Sequence, residues 1–271
     1  MKLKLWQVDA FAERPFSGNP AAIVPLEQWL PDATMQAIAN ENNLSETAFF
    51  VRLERDCYAL RWFTPAAEIP LCGHATLASG WVVLNELSPS SSAVRFETKS
   101  GELTVARGDG GRLRMSLPAD EVEPFPASDG FGEALGTALN VPPPDEIHVG
   151  RKLMAVWKDA AIIREIKLGD IAPVIDRAGR WGLIVTAGGP TATPYDFISR
   201  FFSVGYGIPE DPVTGAAHCA LTPFWAKRLG KTQLRAYQAS PRGGDLLCTD
   251  EGARVILAGP CALYMRGEIE F

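Results

Sequence analysis

The chain has 271 residues, 46% of them hydrophobic and 21% charged, with a net charge of −6 and a pI near 5.2. Length and apolar content suffice for one large domain or for two lobes with separate cores. The acidic balance argues against a nucleic-acid or anionic-membrane partner and leaves open a local basic pocket for a small anion.

Residues 1–19 carry charges throughout and lack a long apolar stretch, so they do not read as a signal peptide. Short strands bounded by turn residues are expected at Leu3–Phe11 and Ala21–Leu26. Pro31–Asn43 has an Asp start and helical spacing of Met35, Ile38 and Ala39, which predicts a short helix. Thr47–Leu53 and Tyr58–Thr64 read as strands, and Cys72–Leu87 as a helix apolar all round, which must be enclosed. Ala93–Gly101, Glu102–Gly110 and Arg112–Ala119 read as further strands and hairpins. Ser116–Phe131 is Pro-rich and polar, the natural linker, and Asn140–Glu146 is a loop. Asp211–Leu229 predicts a second helix, bent at Pro223. No apolar run approaches about 18 residues, so no membrane span is expected.

The two helical regions belong to a repeat. At an offset of 139, Arg61 meets Arg200, Phe63 meets Phe202, Thr64 meets Ser203, and Ile69-Pro70 meets Ile208-Pro209. The same offset places Leu44–Ala48 on Leu183–Ala187 and Ala21–Val24 on Ala160–Ile163. A slightly larger one places Gly101–Val105 on Gly244–Cys248 and brings residues 111–117 near 253–259. Matches at one offset of about half the chain imply a diverged duplication. The expected class is α+β: two pseudo-symmetric lobes, residues 1–117 and 118–271, each a strongly curved, mainly antiparallel sheet around a central apolar helix. The last strand is allowed to cross back to the first lobe. A cleft between such lobes is a preferred ligand site.

A helix start offers unpaired N–H groups and a positive dipole end, suited to a carboxylate. In the first repeat these groups come from Cys72, Gly73, His74 and Ala75, and in the second they lie near Asp211, Thr214, Gly215 and Ala216. Gly73 and Gly215 permit close approach of a ligand; plain helix capping by Asp211-Pro212 is the competing explanation. Glu46 stands in an apolar stretch where the repeat has Val185. A buried carboxylate there would have a raised pKa and suit general acid/base work; an outward-facing strand residue is the alternative. His74, at a helix start, is expected to be a neutral imidazole. Cys72 and Asp211 occupy matching places in the repeated frame. Asn19 either lines the cleft or serves a turn.

Five cysteines (Cys57, Cys72, Cys219, Cys248 and Cys261) form no CxxC, which points to reduced thiols in a cytoplasmic protein. His74, His148 and His218 lack zinc-ligand spacing, and no metal is expected. No nucleotide-binding glycine motif and no GxSxG elbow occurs, and no cofactor is expected.

The stretches "VDAFAERPFSGNPAAIV", "NLSETAFF", "FTPAAEIPLCGHATLASG" and "GIPEDPVTGAAHCAL", in this order from Val8 to Leu221, resemble the PhzF-like (phenazine biosynthesis-like) isomerase family of the diaminopimelate-epimerase-like fold. The resemblance implies two barrel-like lobes around central helices, cofactor-independent proton-shift chemistry on a small carboxylated metabolite, and a homodimer. By motif position it implies Glu46 as the acid/base glutamate, with His74 and Asp211 as the other catalytic groups. The substrate-binding candidates are Asn19, Ser45, Cys72, Gly73, Ala75, Thr214, Gly215 and Ala216. Ala216 stands where the best-studied phenazine enzymes have a serine, which puts the phenazine-pathway substrate in question. Epimerases of this fold use one cysteine from each lobe; here Cys72 faces Asp211 in the frame, which argues against a two-thiol racemase.

Overall fold

A computed structural model describes residues 1–271 apart from 127, 129 and 204–207, and the backbone alone of Ile208. Part of the expected linker and of the second repeated frame thus lies outside the described residues. The chain divides into two compact units, Met1–Leu117 with Ile256–Phe271, and Pro118–Val255. Among the described residues no helix is long and apolar enough to cross a membrane.

In the first unit, β1 (Lys2–Ala10) pairs antiparallel with β2 (Asn19–Leu26) and with β18 (Cys261–Glu270). Helix α1 (Asp32–Asn42) carries the chain across, so that β3 (Glu46–Glu54) runs parallel to β2. β4 (Cys57–Phe63) returns antiparallel and meets the two-residue β5 (Glu68–Ile69). After α2 (Gly73–Val82), β6 (Ala93–Thr98) lies parallel to β4, followed by the antiparallel β7 (Gly101–Arg107) and β8 (Leu113–Pro118). All of α2 except Trp81 is buried, and the helix packs against β1, β2, β3 and β7. An Ala/Leu/Gly helix without a polar face has no stable place except inside such a sheet. Met35 and Ile38 of α1 cover the opposite face, over Ala22, Val24, Phe49 and Phe63. Strands covered on both sides lose the alternating pattern, which is why Glu46–Phe50 is buried without interruption.

The second unit repeats this order. β9 (Glu123–Pro124), β10 (Glu146–Val149) and β11 (Leu153–Trp157) are antiparallel neighbours. β12 (Leu183–Gly188) is parallel to β11 and antiparallel to β13 (Phe197–Ser203), which meets β14 (Ile208–Asp211). β15 (Gln233–Gln238) runs parallel to β13 and antiparallel to β16 (Gly244–Asp250), which β17 (Arg254–Gly259) follows. Helices α3 (Phe131–Leu139), α4 (Ala160–Glu165) and α5 (Ala172–Arg177) supply the core on one face, with Leu153, Ala155, Trp157, Val185 and Phe202. Helix α6 (Gly215–Leu229) packs against β15 and β16. Pro223 inside α6 has no N–H to donate to the carbonyl four residues back. That carbonyl, of Cys219, accepts instead from the backbone N–H of Asp120 at 3.0 Å. The proline thereby frees the acceptor that anchors the chain where the unit begins.

The repeat is visible in side-chain detail. Arg61 grips Glu68 through two hydrogen bonds of 2.8 and 2.9 Å, and Arg200 grips Glu210 through two of 2.7 and 2.8 Å. Each guanidinium also lies 5.2 Å from a phenyl ring two residues on, Phe63 or Phe202. These clamps support the pairing of Arg61 with Arg200 and correct other parts of the alignment. Ala21–Val24 is strand whereas Ala160–Ile163 is helix, capped by Asp159 accepting from the Ala161 N–H at 2.8 Å. A four-residue apolar run does not distinguish the two states. Between the arginine and the glutamate of the clamp the frame is three residues longer in the second repeat. Trp62 pairs with Ile69, while Phe201 pairs with Asp211, so Asp211 corresponds to Ile69 and not to Cys72. The residue matching Cys72 is Thr214, each in extended backbone just before its helix.

Glu46 and Val185 are not counterparts either. Arg61 sits opposite Phe49, and Arg200 opposite Val185. Phe49 and Val185 both belong to the helix-covered outer clusters. Side chains alternate faces along a strand, so Glu46, three residues before Phe49, points to the α2 side. Its counterpart three residues before Val185 is Gly182. The Asp211-Pro212 pair does not cap α6: Asp211 ends β14, and Thr214 precedes the first helical residue.

Two outcomes follow from this packing. A Cβ on Gly80 would lie 2.5 Å from a methyl carbon of the fully buried Val105. Gly80→Ala is therefore expected to destabilise the protein by about 1–3 kcal/mol in denaturant titration, and an unchanged midpoint would show that β7 can recede freely. The Arg61 clamp, itself partly opposed by burial, lowers the Glu68 pKa from 4.5 to about 2. A depressed carboxylate pKa adds stability above its unfolded value and loses it as pH falls through the folded one. The Glu68 contribution should fade between about pH 4.5 and pH 2, and Glu68→Gln should remove that part of the acid dependence.

Candidate active site

In the first unit, three elements converge on one imidazole. β3 begins with Glu46, β2 begins with Asn19, and α2 begins with Gly73 and His74 after Cys72. Their side chains are almost wholly withdrawn from solvent: Asn19 0%, His74 3%, Cys72 6% and Glu46 7% exposed. His74 Nε2 lies 2.9 Å from Glu46 Oε2, and neither atom has another partner among the described residues. On the other edge of the ring, Nδ1 lies 3.0 Å from Asn19 Nδ2 and 3.5 Å from Cys72 Sγ. The backbone register explains the meeting, since Glu46 is level with Ala21 on the parallel neighbour, two residues beyond Asn19. Gly18, at φ +64°, makes the turn into β2, and a Cβ there would lie 2.2 Å from the Ala10 carbonyl oxygen. Only glycine fits that turn, and it places Asn19.

Burial pushes the Cys72 thiol up to about 11, with the Glu46 charge adding to the effect. At neutral pH the sulfur is a thiol. Burial opposes an imidazolium at His74, while Cys72 and Glu46 act in the raising direction and prevail. Cys72 exerts that pull only as a thiolate. The donor atoms of Glu46, Cys72 and His74 lie within 4.8 Å of one another, a spacing that invites a metal. The ring geometry does not suit it: the carboxylate meets Nε2 and the thiol meets Nδ1, so one ion could not reach all three through one ring nitrogen. The arrangement is a proton-bearing network. Ser45 is half-buried in the turn before β3, and Gly73 and Ala75 are buried in the first turn of α2, whose N–H groups have no intrahelical acceptor.

The second unit carries the other candidates. Asp211 accepts from the Thr214 hydroxyl at 2.5 Å. Gly215 and Ala216 open α6, the former buried and the latter half-buried. Gln238, absent from the sequence candidates, holds this turn together. Its amide nitrogen donates to the Asp211 carbonyl at 2.7 Å and to Thr214 Oγ at 3.2 Å, and its oxygen accepts from the Thr214 N–H at 2.9 Å. Ser240 donates to the Pro212 carbonyl at 2.8 Å. A readable signal for Gln238 existed: Leu234, Ala236 and Gln238 share the inward face of an alternating strand, and a fully buried glutamine there requires partners.

Lys152 was also missed. It is 4% exposed, donates to the Ala216 carbonyl at 3.1 Å and lies 3.7 Å from Asp120. Burial lowers its pKa, against the pull of Asp120. Leu153 and Leu183 pair as Ala22 and Thr47 do, so Lys152 and Gly182 occupy the places of Ala21 and Glu46. Where the first unit has a carboxylate at the helix start, the second has glycine and an ammonium from the neighbouring strand.

Removing the Gln238 amide leaves the buried Thr214 N–H without its acceptor, a loss of about 1–3 kcal/mol. Gln238→Ala is expected to lower stability by that amount and to accelerate hydrogen exchange at the Thr214 amide. Unchanged exchange at that amide would show that the glutamine is not what holds the turn.

Comparison with known proteins agrees with this architecture. The profile of the phenazine biosynthesis-like protein family matches residues 8–267. An uncharacterized isomerase of Pseudomonas aeruginosa is 48% identical over 269 residues, covering 99% of both chains. The crystal structure of a PhzF-family phenazine biosynthesis protein from Enterococcus faecalis superposes with a TM-score of 0.91 at 43% identity over the whole of both chains. A hydroxyproline epimerase from Agrobacterium vitis, with bound trans-4-hydroxy-L-proline, has a TM-score of 0.60 at 11% identity, over 99% of this chain and 91% of its own, which extends the likeness of fold alone. With a mixed α+β fold built twice on one strand order, and a family match along nearly its whole length, the chain belongs to the phenazine biosynthesis-like (PhzF) protein family.

Proposed function

We propose that the protein is an isomerase that moves a proton on a small carboxylated metabolite, with Glu46 as the base. The observation that carries this reading is the buried Glu46 carboxylate, which spends one oxygen on His74 at 2.9 Å and keeps the other for chemistry. The name of the P. aeruginosa relative supports the reaction class. In the proposed step Glu46 takes a proton from a carbon beside the substrate carboxylate. The electron pair of the broken C–H bond delocalises into the neighbouring unsaturated or carbonyl system. The proton then returns to a different carbon, from Glu46 or through His74. The N–H groups of Gly73, His74 and Ala75 at the start of α2 hold the substrate carboxylate and stabilise the charge that develops on it. The reaction uses the chain's own side chains.

Asp211, with Thr214, Gly215 and Ala216, is assigned to the same reaction by its motif, as the second polar group that handles protons. A homodimer belongs to the same reading. The epimerase alternative requires a thiol on each side of the reacting carbon. Cys72 is a buried thiol with a pKa near 11, and its counterpart is Thr214, so the alternative finds support at neither position.

The test is deuterium exchange from solvent into a panel of small unsaturated and amino-acid-like carboxylic acids, followed by proton NMR. The wild type is expected to exchange at least one member and to move a double bond or carbonyl position. Glu46→Gln should slow exchange by about 10²–10⁴-fold. Full exchange in Glu46→Gln would overturn the assignment of the base. Cys72→Ala should retain exchange, and its loss there would restore the thiol reading.

A further inference from the structure

We propose that Asn19 is a positioning residue that holds His74 as the neutral imidazole with its one ring proton on Nε2, and so keeps Glu46 a proton-accepting carboxylate. The inference rests on the reading of Glu46 as the base, and it concerns a group that no motif assigns to that task. Its ground is the donor chemistry around one ring. Asn19 Nδ2 carries protons and has no lone pair to offer, so at 3.0 Å from His74 Nδ1 it donates and the ring nitrogen accepts. Cys72 reaches the same nitrogen at 3.5 Å as a thiol, a second and weaker donor. The amide nitrogen can only donate and the thiol can do the same, so Nδ1 serves both with its lone pair and carries no proton. The single ring proton therefore sits on Nε2 and is donated to Glu46 Oε2 at 2.9 Å.

An imidazolium would need an acceptor on both edges of the ring. Glu46 pulls toward an imidazolium and full burial opposes it, while the Cys72 charge that would add to the pull is absent as long as the sulfur is protonated. The consequence is chemical. A carboxylate facing an imidazolium would share its proton and be a weak base. Facing a neutral N–H, it keeps its charge and its orientation, and its second oxygen stays available. Asn19 is suited to this by position as well as by chemistry. It is fully buried at the first residue of β2, fixed by the glycine-specific turn at Gly18.

The same protein holds the converse arrangement. His218 in α6 is fully buried, with Nδ1 2.8 Å from the Thr214 carbonyl, which can only accept. Its proton must sit on Nδ1, and its Nε2 has no hydrogen-bond partner among the described residues. Burial drives its pKa down to about 4, so it too is neutral near pH 7. Two buried imidazoles in one chain should thus show opposite tautomers, each set by the neighbour at Nδ1.

The test is a two-bond proton–nitrogen correlation spectrum of the ¹⁵N-labelled protein at pH 7. There are three histidines, and His74→Gln and His148→Gln spectra assign them. The expected result is a bare Nδ1 and protonated Nε2 for His74, and the reverse for His218. A proton on His74 Nδ1, alone or with one on Nε2, would overturn the proposal. Asn19→Asp replaces the donor with an acceptor of the same shape, and His74 should then carry both ring protons. A His74 pattern in Asn19→Asp identical to wild type would also overturn it. If that variant does not fold, the wild-type spectrum decides. The measurement needs no substrate: a bare Nδ1 together with full exchange activity in Glu46→Gln would uphold the tautomer assignment while removing the proposed base.

Discussion

Two ionisable groups that meet out of water impose strict demands on everything around them. Glu46 and His74 lie 2.9 Å apart at 7% and 3% exposure, and neither atom of the contact has another partner among the described residues. Such a pair persists only when the backbone holds both members, because an uncompensated buried charge costs several kcal/mol. Here the restraint comes from a parallel β2–β3 pairing and from a helix enclosed by the sheet. The outer cover of α1 buries one face of β3, and α2 packs on the other, the face that Glu46 takes.

Duplication supplied this frame twice, and divergence used it differently. The Arg–Glu clamps survive in both units with nearly the same distances, since each ties the strand before the helix to the strand that precedes it. The polar residues around the helix starts do not survive in pairs. Glu46 has Gly182 as its counterpart, and Lys152 fills the vacated side from the next strand. Cys72 has Thr214, and the second unit ties its helix start down with Gln238. The two helix starts thus differ in kind, with a carboxylate–imidazole pair at α2 and a hydroxyl–carboxylate pair at α6.

Much of the architecture was legible without coordinates. Apolar runs cut by Gly, Asn and Pro gave the strands of the first unit within a few residues, and the all-apolar composition of α2 demanded an enclosing sheet. Glu46 drew notice as a carboxylate in an apolar stretch, and His74 as an imidazole at a helix start. The sequence could not show that the two meet, because 28 positions separate them and only strand register brings them level. It misaligned the repeats from Ile69 onward because the stretch from Arg200 to Glu210 is three residues longer than that from Arg61 to Glu68, and a constant offset hides such an insertion. It also paired Glu46 with Val185, because local letters do not say which face of a sheet a residue takes when both faces are buried.

The amino-acid sequence by itself determined the α+β class, the doubling and the identity of the chemical groups, since composition, periodicity and repeated motifs are properties of local order, and its ordered motifs carried the resemblance to the family. Tertiary structure decided which groups touch. It put an amide donor and a thiol on one edge of the His74 ring and a carboxylate on the other, and it gave His218 a carbonyl in the corresponding place. Proton position depends on distances of about 3 Å between atoms from different strands and helices. Those distances exist only once β2, β3 and α2 have packed, and no reading of one segment at a time contains them.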